Sequence, residues 1–355
     1  MKGTNLASLQ IDLKKIERNY RLLKKIAEKY QIQFLPVTKC LLSHEKLIEV
    51  LVEAGCEEIS EAHFFNLLNW KKKIPVKKNL LSISPSIIKS SLTIIDSVIV
   101  SDIFVIEKIN NLGLKNKIGI ILPIEIGELR DGIFLEELEN FLTFTSHLKN
   151  IQIQGFDLNY GCIRGVIPDM QAVEETFQKA KAVSEKLGII PNVFSVGGTI
   201  FYDSFKNGEI KGLSNQIRMG EAFIFGYNTY TAQNIEEMEQ GAVILKGEIL
   251  ELRNKNIEIK VKTGWNSYGN KSEEYPEKGI RKLAVLDFGY LDDIKKQLIP
   301  LDNGIKIFGN SHNHTVVDLT DSKEHYKTGG EIQFYTCYDI TEYGMLVPYI
   351  KKVFI

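Results

Sequence analysis

Apolar positions along this chain keep two different periods. Over residues 13–30, Ile16, Tyr20, Leu23, Ala27 and Tyr30 recur three and four apart, one face of an α-helix with Asp12 as its cap. Between helical stretches of this kind lie short, largely apolar runs at 32–39, 58–59, 79–82, 97–100, 117–124, 151–158, 192–196 and 216–218. Such runs read as strands buried on both faces, the habit of parallel sheets. Ser43, Ser60, Ser84-Pro85, Asp102 and Asp169 stand where the intervening helices begin. Eight strands alternating with helices over roughly the first 230 residues is the rhythm of a parallel (β/α)8 barrel. A further short strand is expected at 7–11, ahead of the first helix. A doubly wound open sheet is the structural alternative, weakened because no glycine-rich turn follows the first strand of the eight.

From about Glu236 the period becomes two. The runs 242–252, 257–262, 282–287, 304–308, 315–319 and 331–335 are short and mostly alternating, without long helices between them. That predicts a smaller all-β domain. The expected division is 1–235 for the barrel and 236–355 for the β-domain.

Composition narrows the function classes. With 44 basic and 45 acidic residues, the chain offers no case for nucleic acid or an anionic membrane as partner. No apolar run approaches membrane length and the N-terminus has no signal-like core, so a cytoplasmic protein is expected. Cys40, Cys56, Cys162 and Cys337 show no paired spacing, consistent with reduced thiols.

In a (β/α)8 barrel the chemistry collects at the C-terminal ends of the strands. Applied here, that rule returns Lys39 after the first strand of the eight, Arg130 after the fifth and Asn159 after the sixth. Gly197-Gly198-Thr199 follows the seventh, and Arg218-Met-Gly220-Glu221 the eighth. A lysine at the mouth of an apolar strand is costly to desolvate, but where burial lowers its pKa it suits Schiff base chemistry. The two glycine turns match the place where barrels of this kind hold phosphate groups. Each residue also has a plain structural reading: a solvated lysine, salt-bridged arginines, an asparagine turn. Their joint placement favours a site. In the β-domain, Tyr290 sits at a strand end, and His312 and His314 fall on one face of a strand. Two imidazoles without a third ligand are a weak metal signal, and no metal is expected.

With these residues in hand, the sequence resembles the alanine racemase-like, fold-type III pyridoxal phosphate enzymes, most nearly the ornithine racemase-type branch. The segments carrying the resemblance are Pro36-Val-Thr-Lys39, Gly127-Glu-Leu-Arg-Asp-Gly-Ile133, Ser195-Val-Gly-Gly-Thr199, Ile217-Arg-Met-Gly-Glu-Ala222 and Gly309-Asn-Ser-His-Asn-His314. The resemblance implies a pyridoxal 5'-phosphate-dependent amino-acid racemase or epimerase, an isomerase. Two bases would remove and return the α-proton through the external aldimine. It implies that Lys39 holds the cofactor and is one acid/base, and that Tyr290, from the other subunit of a head-to-tail homodimer, is the second. Arg218 would face the pyridine nitrogen, Arg130 the phenolic oxygen, and Asn159 would lie against the ring. Gly198, Thr199, Gly220 and Glu221 (through its backbone) would take the phosphate, and His312 and Asn313 would lie near the substrate. A tyrosine found after the cofactor lysine in alanine racemases is missing from Lys39-Cys-Leu-Leu-Ser-His44. The related decarboxylases carry a glutamate in place of Arg218, so the arginine favours racemisation. Decarboxylation, aldol cleavage and non-catalytic cofactor carriage are the alternatives.

Overall fold

The computed structural model describes residues 6–68, 70–113, 116–258, 260–265, 271, 275–289 and 298–355. The chain divides into two compact units, Leu13–Ala242, and Met1–Asp12 together with Val243–Ile355.

The first strand, β1 (Ser8–Ile11), belongs to the second of these units. Eight parallel strands then make the first unit: β2 (Gln33–Pro36), β3 (Glu58–Glu61), β4 (Lys77–Leu80), β5 (Ser97–Ile99), β6 (Ile118–Pro123), β7 (Ile151–Asn159), β8 (Val193–Gly197) and β9 (Gln216–Met219). They are hydrogen-bonded in the order β2-β9-β8-β7-β6-β5-β4-β3. The ring closes between its ends through a parallel bridge from Val37 to Ser60 and the Thr38 N–H, which donates to the Ser60 carbonyl at 3.0 Å. This is the barrel that the alternating pattern predicts. All six residues of β6 are buried, as a strand covered on both faces requires.

The helices follow their sequence signals where those signals are strong. Leu13–Tyr30 buries Ile16, Tyr20, Leu23 and Ala27. Asp102 caps Ile103–Asn111 through the Val105 N–H at 3.0 Å, and Asp169 caps Met170–Lys186. A two-stranded hairpin, β10 (Tyr227–Asn228) and β11 (Gln233–Asn234), ends this unit. No described helix is long and apolar enough to cross a membrane.

The other unit is built on β12 (Val243–Asn256), followed by β13 (Ile280–Leu286), β14 (Ile299–Pro300), β15 (Lys306–Asn310), β16 (Thr315–Asp318), β17 (Glu331–Tyr335) and β18 (Lys351–Phe354). The strand order is β14-β17-β12-β13-β16-β15, antiparallel throughout. β1 pairs antiparallel with β12 and parallel with β18. The N-terminal strand therefore joins the β-unit, whereas the sequence pattern assigned it to the barrel; a four-residue strand carries no mark of its pairing partner. The described residues of the run at 257–262 form no strand; β12 runs through a bulge at Ile249/Glu251 and ends at Asn256. Among its described residues, this mainly β unit also contains the helix Tyr338–Leu346.

Candidate active site

Lys39 opens a short 3-10 turn, Lys39–Leu41, directly past β2. The turn is held from beneath by a buried polar cluster. Thr38 Oγ1 lies 2.6 Å from Ser43 Oγ, and Ser43 Oγ donates to a carboxylate oxygen of Glu61, which has no exposed surface. The other Glu61 oxygen accepts the N–H groups of Ala62 (2.7 Å) and His63 (3.1 Å) and the Asn66 side-chain amide (3.2 Å). Leu42 and Ser43 sit at φ 51° and 43°, a left-handed conformation that costs on the order of 1 kcal/mol for each such residue. Ser43 was expected to cap the next helix. It is instead committed to Glu61, and the cap passes to His44, whose Nδ1 accepts the Lys46 N–H at 3.3 Å. Ser60, likewise expected as a cap, lies within β3, and Glu61 takes the first N–H groups that follow.

On β9, the strand paired with β2, Arg218 is 3% exposed and meets Asp157 in β7, which is 0% exposed. The guanidinium is two-pronged on this carboxylate: Nη1 donates to Oδ1 and Nη2 to Oδ2 at 2.9 Å, while Nη1 also donates to Ser195 Oγ at 2.6 Å. Desolvation pushes the Asp157 carboxyl pKa up. The always-charged guanidinium, held two-pronged on the carboxylate, opposes that push.

Gly197 makes room for this arrangement. A Cβ there would lie 2.2 Å from Arg218 Nη2. Gly198, at φ 119°, would place a Cβ 2.5 Å from the Tyr160 carbonyl oxygen, and its N–H donates to the Arg218 carbonyl at 3.0 Å. The two glycines were expected to offer N–H groups to a phosphate. One serves the guanidinium, and the N–H of the other is already bonded within the barrel. Thr199 Oγ1 accepts the Ala222 N–H at 3.3 Å, joining the turn after β8 to the short helix Glu221–Phe225. Gly220 precedes that helix, and a Cβ on it would come within 3.3 Å of the Val37 carbonyl, two residues from Lys39.

Asn159 ends β7, and its Nδ2 is buried with no hydrogen-bond partner. A buried, unmatched donor at a strand end is costly unless a further group accepts from it. Beside it, Arg130 Nε donates to Asp131 at 2.6 Å and Arg130 Nη1 to Cys162 Sγ at 3.4 Å. Arg130, Asp131, Glu128 and Asn159 line one small pocket. Glu128, 3% exposed, joins the Arg130 loop to the loop after β7 by accepting the N–H groups of Cys162 (3.0 Å), Arg164 (2.8 Å) and Val166 (2.9 Å). Burial alone would push its carboxyl up; these backbone N–H groups outweigh that and hold it below the usual carboxylate range.

Lys39, Thr199, Arg218, Gly220, Asn159 and Arg130 therefore share the C-terminal side of one barrel, with Glu221 opening the helix beside Gly220. Residues 11–228 match the family described as "Alanine racemase, N-terminal domain". The chain belongs to the alanine racemase family of fold-type III pyridoxal phosphate enzymes. It is similar end to end to a lysine racemase from Thermotoga maritima, 29% identical over 98% of each chain. An ornithine racemase from Acetoanaerobium sticklandii is 28% identical over 97% of this chain and 98% of its own length. In fold, the chain is similar to the alanine racemase from Bartonella henselae with covalently bound pyridoxal phosphate, at a TM-score of 0.71 and 18% identity over 99% of each chain.

The remaining expected residues lie in the β-unit. His312 and Asn313 are exposed in the turn between β15 and β16. The imidazoles of this segment were expected on a strand face. Asn310 is the last residue of β15, and the Ser311 N–H closes the turn on the His314 carbonyl at 2.8 Å. Among the described residues no group of His, Cys, Asp and Glu could hold a metal ion. Gly289 runs directly against this turn, since a Cβ on it would lie 2.0 Å from the Ser311 carbonyl oxygen. Tyr290 lies outside the described residues. Reading the strand ends missed Asp157, Ser195, Glu61 and Glu128. A carboxylate inside an apolar parallel strand, as in Gly155-Phe-Asp157-Leu-Asn159, is the signal that finds Asp157.

Proposed function

We propose that this chain is a pyridoxal 5'-phosphate-dependent amino-acid racemase. The observation that carries the reading is the unmatched, buried Asn159 Nδ2, set on the same barrel rim as Lys39 and Arg218. A donor so placed fits a cofactor lying across the strand ends, as do Gly220, which leaves room beside the Lys39 strand, and the Thr199 hydroxyl at the neighbouring turn. When bound, pyridoxal phosphate supplies an electron sink that acidifies the α-hydrogen of an attached amino acid.

The chain's residues do the rest. Lys39 provides the amine that holds the cofactor, and its Nζ accepts or returns a proton on one face of Cα. Tyr290 of a head-to-tail partner subunit serves the opposite face, as inversion requires two groups on opposite sides. Arg218 would serve the ring nitrogen, Asn159 the ring and Arg130 the phenolic oxygen. Thr199 and the backbone at Gly220 and Glu221 take the phosphate, with Gly198 shaping the turn. His312 and Asn313 are the residues proposed to recognise the amino-acid side chain. Lysine and ornithine are the substrates to try first, because the relatives matched end to end carry those names. The protein works in the cytoplasm.

Borohydride reduction of the protein loaded with pyridoxal phosphate, followed by peptide mass analysis, tests the cofactor assignment. A phosphopyridoxyl mass on the peptide containing Lys39 is expected. Label absent or scattered over surface lysines contradicts it.

A further inference from the structure

The racemase reading places Arg218 against the cofactor ring as a cation. The structure adds a group that this reading does not use. Asp157 is fully buried, sits in the strand after next from Arg218, and occupies both terminal nitrogens of its guanidinium. Ser195, on the strand between them, accepts from Nη1 as well. Three adjacent strands thus converge on one guanidinium, and Gly197 is the glycine that lets it lie flat there. A guanidinium has five N–H donors in a fixed plane, so three hydrogen bonds to fixed partners leave it one orientation.

We propose that Asp157 is a positioning residue, which with Ser195 fixes the Arg218 guanidinium and neutralises its charge, so that the cofactor ring meets an ion pair rather than a bare cation. The inference rests on the racemase reading and deepens it. The other charged groups acting on Asp157 are Arg130 and Asp131, from the loop after β6; its strand neighbours Pro123 in β6 and Ser195 in β8 carry no charge. A negative charge behind the guanidinium favours the protonated form of a group titrating in front of it. Removing it must therefore lower that group's titration midpoint.

The experiment has two arms, both using Asp157→Asn, Arg218→Gln and the double variant. In cofactor-free protein, each single change lowers the thermal midpoint by about 5 °C or more, and the double variant recovers part of the loss. Additive losses overturn the pairing. In protein loaded with pyridoxal phosphate, the visible absorption band is titrated with pH. Asp157→Asn moves its midpoint down by about one unit, and kcat falls about tenfold while KM stays within about threefold. In the Arg218→Gln background Asp157 has no guanidinium to act through, so adding Asp157→Asn moves the midpoint no further; this comparison uses only proteins carrying Arg218→Gln and stands even if the Asp157→Asn single variant does not fold. An unmoved midpoint in Asp157→Asn, or a shift that persists without Arg218, overturns the proposal alone. A wild-type protein with no cofactor band overturns the functional reading and the proposal with it.

Discussion

Two sides of the same barrel bury polar side chains in opposite ways. Across β3, β4 and β5, Ser60 Oγ donates to Asn79 Oδ1 at 2.9 Å and Asn79 Nδ2 donates to Ser97 Oγ at 2.8 Å, with all three residues at most 3% exposed. This ladder is neutral and satisfies itself. Across β7, β8 and β9 the buried groups include an ion pair and a hydroxyl, Gln216 Oε1 has no partner, and the neighbouring Asn159 keeps a donor that nothing in the described chain accepts. A self-satisfied ladder stabilises a barrel and offers nothing to a ligand. A charged cluster beside an unmatched donor is costly to bury and is retained where something else completes it. On the proposed function the chemistry belongs to the β7–β9 side, next to the strand β2 that leads into the Lys39 turn.

Substitutions on the two sides sharpen that contrast, and the largest effect is expected at the mouth. Lys39→Ala should reduce racemisation by about 10^3-fold or more, with little change in the denaturation midpoint, because the turn beneath it is held by Thr38, Ser43 and Glu61. Next comes Arg218→Gln, which strands Asp157 and should cost about 3–5 kcal/mol in denaturant titration along with activity. In the neutral ladder, Asn79→Ala leaves two serine hydroxyls unmatched, for a loss of about 1–3 kcal/mol, and should leave kcat within about twofold. If Asn79→Ala matched Arg218→Gln in its effect on kcat, the functional division between the two sides would fail.

The smallest effect concerns the clamp between the Arg130 and Asn159 loops. Glu128 has its folded pKa held below the unfolded value, so its contribution is present above the unfolded pKa and is lost as pH falls through the folded one. Glu128→Gln should therefore be less stable than wild type by about 1 kcal/mol above roughly pH 5. The gap should close on acidification, as followed by thermal midpoints across pH. A gap that stays constant with pH would show that shape alone holds the loops.

The fold was legible because parallel strands buried on both faces write themselves as apolar runs, and the long helices carry caps such as Asp102 and Asp169 in plain view. The positions of Lys39 and Arg218 followed from the strand-end rule. What hid were the partners. Asp157 looks like any acidic residue until β9 is brought within reach of it, and Glu128 looks like one surface charge among several until the loop 161–166 folds onto it. Ser43 and Ser60 carried capping signals that tertiary hydrogen bonds overrode. The pairing of β1 with β12 and β18 is a long-range fact that a four-residue run cannot announce.

Proton NMR in D2O tests the central claim most directly, with the protein, pyridoxal phosphate and single enantiomers of lysine, ornithine and alanine. The account predicts that the α-proton signal of at least one of these amino acids disappears as its mirror image accumulates, and that Lys39→Ala abolishes both changes. Exchange without inversion, release of an amine labelled at Cα, or cleavage to an aldehyde would contradict it.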